Sequence, residues 1–362
     1  MCRLNKTNRH DRMEKREEST LHTLKFKRIS HPATLLFLFF LLIVTFLAEK
    51  TKNNPLLDRI PSDFLNFYTI FLSIVIEAIP FILLGSIASV LIQSYLRDDV
   101  IAKILPAHPI VAMLPASLVG TFFPVCECAI IPIIRGLIKK GLPQHLGIVM
   151  IVSIPILNPI VFLSTHYAFR NNPSILYARM GLAFVAALII GSVVYFLFRR
   201  QSIVKKPQNT GHAIPHAHHH SKDNMHHDRP HFTEVVLHMN QEFLDTARYF
   251  LIGALLAATF QTFFDQHLLA AVGSSNSKGP AVMMGFAYLL SVCSTSDAFL
   301  AASMTGLFTP GSIIAFLLFG AMLDVKNTMM MLSCFKFRFV FTFTLVTAAV
   351  VYTLARLFDF FY

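Results

Sequence analysis

The residues best suited to chemistry lie in two short polar knots set in otherwise apolar sequence. The first is Pro124-Val125-Cys126-Glu127-Cys128-Ala129. Two thiols one residue apart, with a carboxylate between them, suit a soft centre such as Cu(I), Zn or a trivalent arsenical. The second knot is Cys293-Ser294-Thr295-Ser296-Asp297. Its thiol could supply a third sulfur, and its hydroxyls could ligate an ion. The plainer alternatives are that the cysteines pack as small apolar groups and that Ser294 or Thr295 caps a helix starting near Ala298. Packing alone is the expected role of Cys334.

Other groups stand out by being polar in apolar runs. Glu77, Glu127, Asp297 and Asp324 are expected to be buried acids, and intramembrane carboxylates default to function. Glu77, Glu127 and Asp297 are the candidates for carrying a proton, because desolvation favours the neutral acid. Arg135, Arg248 and Lys326 are the candidate ion partners. Asp324 and Lys326 stand too close in sequence to face each other on a helix. Asn158, between Pro155 and Pro159, marks a helix break where backbone groups are free. A tract holding His216, His218, His219, His220, His226 and His227 reads as a weak metal binder or as a low-complexity linker.

The elements that must position these residues follow from composition. The chain has 362 residues, 54% hydrophobic and only 14% charged, with a mean hydropathy of +0.58. A soluble domain carries about 25% charged residues, so a conventional soluble enzyme and a disordered chain are both excluded. The expectation is an all-α polytopic protein of the cell membrane with about 7–9 membrane segments, since lipid forbids open sheet edges. The net charge of +11 is concentrated in residues 1–30 and 199–231. Both flank apolar runs, so the positive-inside rule explains them better than nucleic acid does, and no nucleic-acid partner is expected. The five cysteines are too sparse for a secreted disulfide framework.

The resulting organisation is a basic cytoplasmic tail (1–32), a membrane anchor (33–48), a first permease repeat (60–198), a His-rich cytoplasmic loop (199–231) and a second repeat (232–362). The repeat rests on residue matches. At an offset of 168, Glu77 falls on Asp245, Gly85 on Gly253 and Gln93 on Gln261. At 170, Glu127 falls on Asp297 and Gly136 on Gly306. After a short gap, Leu157-Asn158 falls on Leu323-Asp324. Placing both basic stretches in the cytoplasm requires one of the five intervening apolar runs to enter and return on one side. Pro109–Ile138 is the candidate, with Ala281–Leu307 as its counterpart. The halves then have opposite orientation, with broken or re-entrant helices meeting near the midplane, which is a transporter architecture.

The two knots, together with Arg135-Gly136-Leu137-Ile138-Lys139-Lys140-Gly141-Leu142-Pro143, Pro155-Ile156-Leu157-Asn158-Pro159, Leu290-Ser291-Val292, Gly320 and Leu323-Asp324-Val325-Lys326-Asn327, resemble the bacterial predicted-permease family that includes organoarsenical efflux permeases. The resemblance covers roughly residues 60–360. It implies that Cys126, Cys128 and Cys293 are candidate substrate thiols. The family pattern has Gly at Ala129 and Pro at Ala321.

The functional expectation is therefore a permease, not an enzyme, that exports a small soft solute such as a trivalent organoarsenical or a metal ion. Its substrate-contacting residues would be Cys126, Cys128, Cys293, Glu127, Ser294, Thr295, Ser296, Asp297, Asn158 and Asp324. No Walker-type loop is present, so an ion gradient or a partner would have to drive active transport, with an ion gradient the favoured source, and no cofactor is expected. The alternatives are a metal-responsive membrane sensor and a membrane thiol oxidoreductase. The latter is disfavoured because such enzymes use Cys-x-x-Cys rather than Cys-x-Cys.

Overall fold

The computed structural model describes residues 62–95, 109–121, 125–199, 201–205, 232–263 and 278–361. The basic tail, the expected anchor 33–48 and every His of the 212–231 tract lie outside the described residues. Apart from short turns, the described residues are helical. Helix α1 is Ser62–Tyr95, α2 Met113–Leu118, α3 Glu127–Lys139, α4 Gln144–Ser153, α5 Pro159–Ala168 and α6 Pro173–Phe198. The second half contributes α7 Phe232–Phe263, α8 Gly279–Leu290, α9 Asp297–Ser303, α10 Pro310–Met322, α11 Val325–Cys334 and α12 Phe337–Phe361.

Local sequence explains where these helices start and stop. Pro occupies the first turn of α5, α6, α8 and α10, where its missing N–H costs nothing. Thr309 caps α10, its hydroxyl accepting from Ser312 N at 3.2 Å. Helix α3 ends at Gly141, whose φ of +99° suits glycine. There Leu142 N donates to Leu137 O at 3.0 Å and Gly141 N to Ile138 O at 3.1 Å, closing a Schellman motif.

Five stretches among the described residues are long and apolar enough to span a bilayer: Asp63–Ser94, Pro173–Phe198, Met239–Phe263, Pro310–Cys334 and Phe337–Phe361. Gln144–Ser153 and Gly279–Leu290 are shorter apolar helices. The chain is an all-helical multi-pass membrane protein. Helices α4–α5 and α10–α11 are each a pair separated by a break, at Ile154–Asn158 and at Leu323–Asp324. Along its most apolar 18 residues Pro310–Cys334 has 89% of positions buried within the protein, against 33–44% for the same length of the other four stretches. It is a central rod shielded from lipid, and it can therefore carry charge.

Packing follows a duplicated pattern. Helix α3 packs on α4 as α9 does on α10; α2 packs on α4 as α8 does on α10; α4 packs on α6 as α10 does on α12. Across the halves, α3 packs on α11 and α9 on α5. The pattern is broken where α1 packs on α3 while α7 packs on α11. Small residues permit the close approaches. A Cβ on Gly85 of α1 would stand 2.7 Å from Ala129 O of α3, and one on Gly253 of α7 would stand 2.9 Å from Lys326 Cα of α11.

The two ends of the bundle are tied differently. At one end a strap after α6 pairs with the α11–α12 junction. Val204 bridges Phe335, Lys205 N donates to Cys334 O at 3.0 Å, and Lys336 N donates to Ile203 O at 3.0 Å. At the other end of α12, Asp359 accepts from Gly311 N at 2.6 Å and from Thr309 Oγ1 at 3.1 Å. From Phe337 to Asp359 a helix rises about 33 Å, close to the thickness of a bilayer core of about 30 Å.

Candidate functional site

The first knot opens α3. Cys126 is its N-cap residue in extended conformation (φ −75°, ψ 164°), and its carbonyl accepts from Ala129 N and Ile130 N. Glu127 occupies the first helical position, where the helix dipole favours an anion. Cys126 is half-buried and Cys128 is buried, both are free, and the two thiols lie within electrostatic range of each other. Glu127 is only 4% exposed, and its Oε2 lacks any hydrogen-bond partner.

The second knot turns between α8 and α9. Ser291 ends α8 in the left-handed region, φ +54°. A residue with a Cβ adopts this conformation only when its surroundings enforce it. Here they do, because Ser291 Oγ donates to Asp324 Oδ2 at 2.7 Å. Cys293 O accepts from Ser296 N at 2.9 Å and from Asp297 N at 3.0 Å, so the knot is a tight turn. Neither Ser294 nor Thr295 caps α9. The N-cap is Ser296, without a side-chain bond, while Thr295 Oγ1 lies 3.5 Å from Cys293 Sγ.

Asp297 is buried against Arg179 of α6, a residue the sequence reading did not single out. Arg179 Nη2 donates to Asp297 Oδ2 at 2.8 Å and Oδ1 at 3.0 Å, and to Ser294 O at 3.1 Å. Its Nη1 donates to Thr165 Oγ1 of α5 at 2.8 Å. The guanidinium is completely buried. It ties the second knot to two helices of the first half. The signal for it was a single charged residue inside the apolar run Ile175–Phe198.

The two helix breaks are built alike. Asn158 Oδ1 accepts from Val161 N at 2.8 Å, and Asp324 Oδ1 accepts from Asn327 N at 2.6 Å. Each is an N-cap that satisfies a half-helix end inside the membrane. Asn158 Nδ2 also donates to Pro155 O at 3.1 Å. Asp324 does face Lys326, contrary to the helical-spacing argument, with Nζ to Oδ2 at 3.4 Å. Asp324 is extended (φ −133°, ψ 177°) and outside the helix, so the i,i+2 rule does not govern the pair. Lys326 Nζ also donates to Ser291 O.

Lys326 is the centre of the assembly. It is buried and within electrostatic range of Glu127, Cys128 and Cys293 as well as Asp324. The structure thus brings Glu127 and Cys128 of the first half within electrostatic range of a lysine from the second. Among the described residues no three His, Cys, Asp or Glu side chains converge closely enough to hold a metal ion. The three thiols therefore do not form a ready-made ligand set, although Cys126 and Cys128 are neighbours. Glu77 is not buried as expected. It is exposed on α1, where its charge is felt at Cys293. Its counterpart Asp245 is also exposed and lies 4.0 Å from Arg248. Thr165 of the first half stands at the second-knot side of the site with Arg179, while the partners of Asn158 are all local to its own break.

An all-helical membrane protein with a buried polar centre made from broken helices is the architecture of a membrane transport protein. The chain belongs to the predicted permease family ArsP_1, whose model matches residues 63–360. It is 44% identical to the UPF0718 protein YcgR of Bacillus subtilis strain 168 over 294 residues, covering 81% of this chain and 96% of that protein. It is 35% identical over 286 residues to a Streptococcus mutans protein named, provisionally, as a two-component membrane permease complex subunit, covering 79% of this chain and 92% of that one. No solved structure matches the chain.

Proposed function

We propose that this membrane permease exports a small soft solute of the trivalent organoarsenical class, and that the thiols of Cys126 and Cys128 receive it. The observation that carries this reading is the placement of two free thiols on either side of Glu127, a buried carboxylate with an unpartnered oxygen, at the start of α3. A monomethylated arsenic(III) dihydroxide has two exchangeable oxygens. Each reacts with one thiol to form an As–S bond and release one water, so two neighbouring cysteines suffice. Sulfur is the ligand that such a soft centre prefers. The absence of a three-residue ligand cluster among the described residues favours this two-thiol solute over a bare metal ion. Cys293 would take the solute as it leaves the first knot.

The duplicated packing and the matched caps at Asn158 and Asp324 support two repeats. Their opposite orientation is supported by the ends that meet. Helix α3 runs from the centre toward the end that carries the 201–205 strap, since Lys139 is in electrostatic range of Cys334. Helix α9 runs toward the other end, where α10 starts beside Asp359. Glu127 is the candidate proton carrier of an ion-driven cycle. The tight pairing of Asp297 with Arg179 favours a structural role for that acid.

The test is methylarsenite transport into everted membrane vesicles from cells lacking their own arsenical exporters. The Cys126→Ser/Cys128→Ser variant should lose nearly all transport, and Cys293→Ser should lose part. Normal transport by the triple Ser variant would sink the thiol mechanism. Transport of some other solute, and none of arsenicals, would leave the permease and remove the substrate.

A further inference from the structure

Helix α1 carries a polar stripe that the thiol site does not use. Asn66, Thr69, Ser73 and Glu77 recur at helical spacing, so they share one face, and all four are exposed. Farther along that face stand Leu84 and Leu91, exposed and apolar. The stripe therefore runs from the start of α1 to Glu77 and stops. Glu77 lies inside the candidate span Asp63–Ser94, about 21 Å of helical rise from its first residue and about 26 Å from its last. Among the described residues no Lys, Arg or His pairs with it. Pro80 of the same helix has no N–H to offer the Ile76 carbonyl, so a second polar group is left open at that depth.

A carboxylate at mid-bilayer depth faces the bundle interior or a water-filled cavity, not acyl chains. The surroundings of Glu77 fit the cavity. Cys293 of the second knot is half-buried, Ser296 is exposed, and Cys293 is within electrostatic range of both Glu77 and Glu127. Exposure thus falls in order from Glu77 through Cys293 to Glu127. The hydroxyls of Thr69 and Ser73 donate to the carbonyls of Leu65 and Thr69 at 2.8 and 2.9 Å, which leaves their oxygens to accept from a solute. The far end of α1 fixes the direction. There Gln93 accepts from Lys139, which is within electrostatic range of Cys334 at the strap. The stripe accordingly opens at the end opposite the strap.

We propose that the stripe, Cys293 and Ser296 line a water-filled vestibule that opens away from the strap and ends at the second knot, and that Glu77 sets its charge preference, favouring small neutral or cationic solutes over anions. An uncharged arsenic(III) dihydroxide leaving Cys293 passes out along this wall, its hydroxyls donating to Glu77 and then to Ser73 and Thr69. An external oxyanion or thiolate is turned back by the carboxylate. This role rests on the reading of the chain as an exporter whose strap end is cytoplasmic, and it names the exit path of that site.

The experiment reads thiol labelling and needs no transport. Intact cells carry the chain with Cys2, Cys126, Cys128 and Cys334 replaced by Ser. Two impermeant methanethiosulfonates, one bearing a trimethylammonium group and one a sulfonate, label Cys293 from outside. Relative to a small free thiol, the cationic reagent should be favoured. Glu77→Gln should cut that preference at least about threefold, because the carboxylate acts on the two reagents with opposite sign. Glu77→Asp should keep it, and high salt should weaken it in the parent. With Cys293 also replaced, Ser73→Cys should react with both reagents and Leu84→Cys should not. An unchanged preference in Glu77→Gln overturns the role of Glu77. Should Glu77→Gln fail to reach the membrane, a parental preference indifferent to salt does the same. Ser73→Cys that reacts with neither reagent, or only in everted vesicles, overturns the vestibule, as does Leu84→Cys reacting as fast as Ser73→Cys. Methylarsenite left untransported by the unmodified protein, with labelling as expected, defeats the substrate reading and leaves the vestibule standing.

Discussion

Arg179 and Asp297 are 118 residues apart in sequence and 2.8 Å apart in space, and both are buried. The pair joins the second knot to α6, and Thr165 draws in α5 as well. Removing one partner leaves a buried charge alone, at a cost of about 3–5 kcal/mol. Arg179→Met and Asp297→Asn should each greatly reduce the protein recovered as a monodisperse peak from membranes. The double variant Arg179→Met/Asp297→Leu should recover better than either single one. A double variant as poor as the worse single would show that the pair's charge is itself required.

The left-handed Ser291 makes a second, finer prediction. Glycine there relieves a backbone strain of about 1–2 kcal/mol but loses the bond to Asp324. Alanine loses the bond and keeps the strain. Thermal unfolding in detergent should rank the variants unmodified, Ser291→Gly, then Ser291→Ala. Alanine outranking glycine would show that the left-handed backbone carries no such strain at this position.

The matched breaks supply their own control. The first half has Asn158 and Ile160 where the second has Asp324 and Lys326. Asp324→Asn/Lys326→Ile rewrites the second break in the language of the first and keeps the N-cap acceptor. The variant should fold and reach the membrane but fail to transport. Asp324→Asn alone should be less stable than the double variant, because Lys326 then stays charged without its carboxylate. Transport by the double variant would remove Lys326 from the mechanism.

Orientation is testable with single cysteines in a background lacking native ones. Ser202 and Leu307 are both accessible, the first in the strap and the second between α9 and α10. Intact cells should protect Ser202→Cys from an impermeant thiol reagent and expose Leu307→Cys to it. Labelling of both from outside would defeat the opposed orientation of the repeats.

How much of this was legible in the sequence depends on whether the signal was local. The helical membrane class, the two knots and the breaks at Asn158 and Asp324 announce themselves through composition, proline and single polar residues in apolar runs. The partners do not. Arg179 meets Asp297 only through the packing of α5 and α6 on α9 and α10. Lys326 stood among the candidate ion partners, but its pairing with Asp324 was discounted by a helical rule that fails because Asp324 is a cap. Glu77 and Asp245, aligned with each other in the sequence, both lie at the surface of the protein, since which face of a helix is covered depends on neighbours.

The shielding of Pro310–Cys334 bears on how the chain is made. A segment with mean hydropathy 1.5 that buries Asp324 and Lys326 cannot rest in lipid until something covers it. Its cover is supplied largely by α8 and α12, emerging on either side of it, and by α3, α6 and α7, made earlier. During synthesis the earlier helices must therefore wait in the bilayer as a half-built socket, and the rod must enter late. A fragment beginning at residue 232 should be cleared by membrane proteases when expressed alone. Co-expression of the fragment ending at residue 205 should rescue it, because the socket, rather than the peptide link, is what the second half lacks.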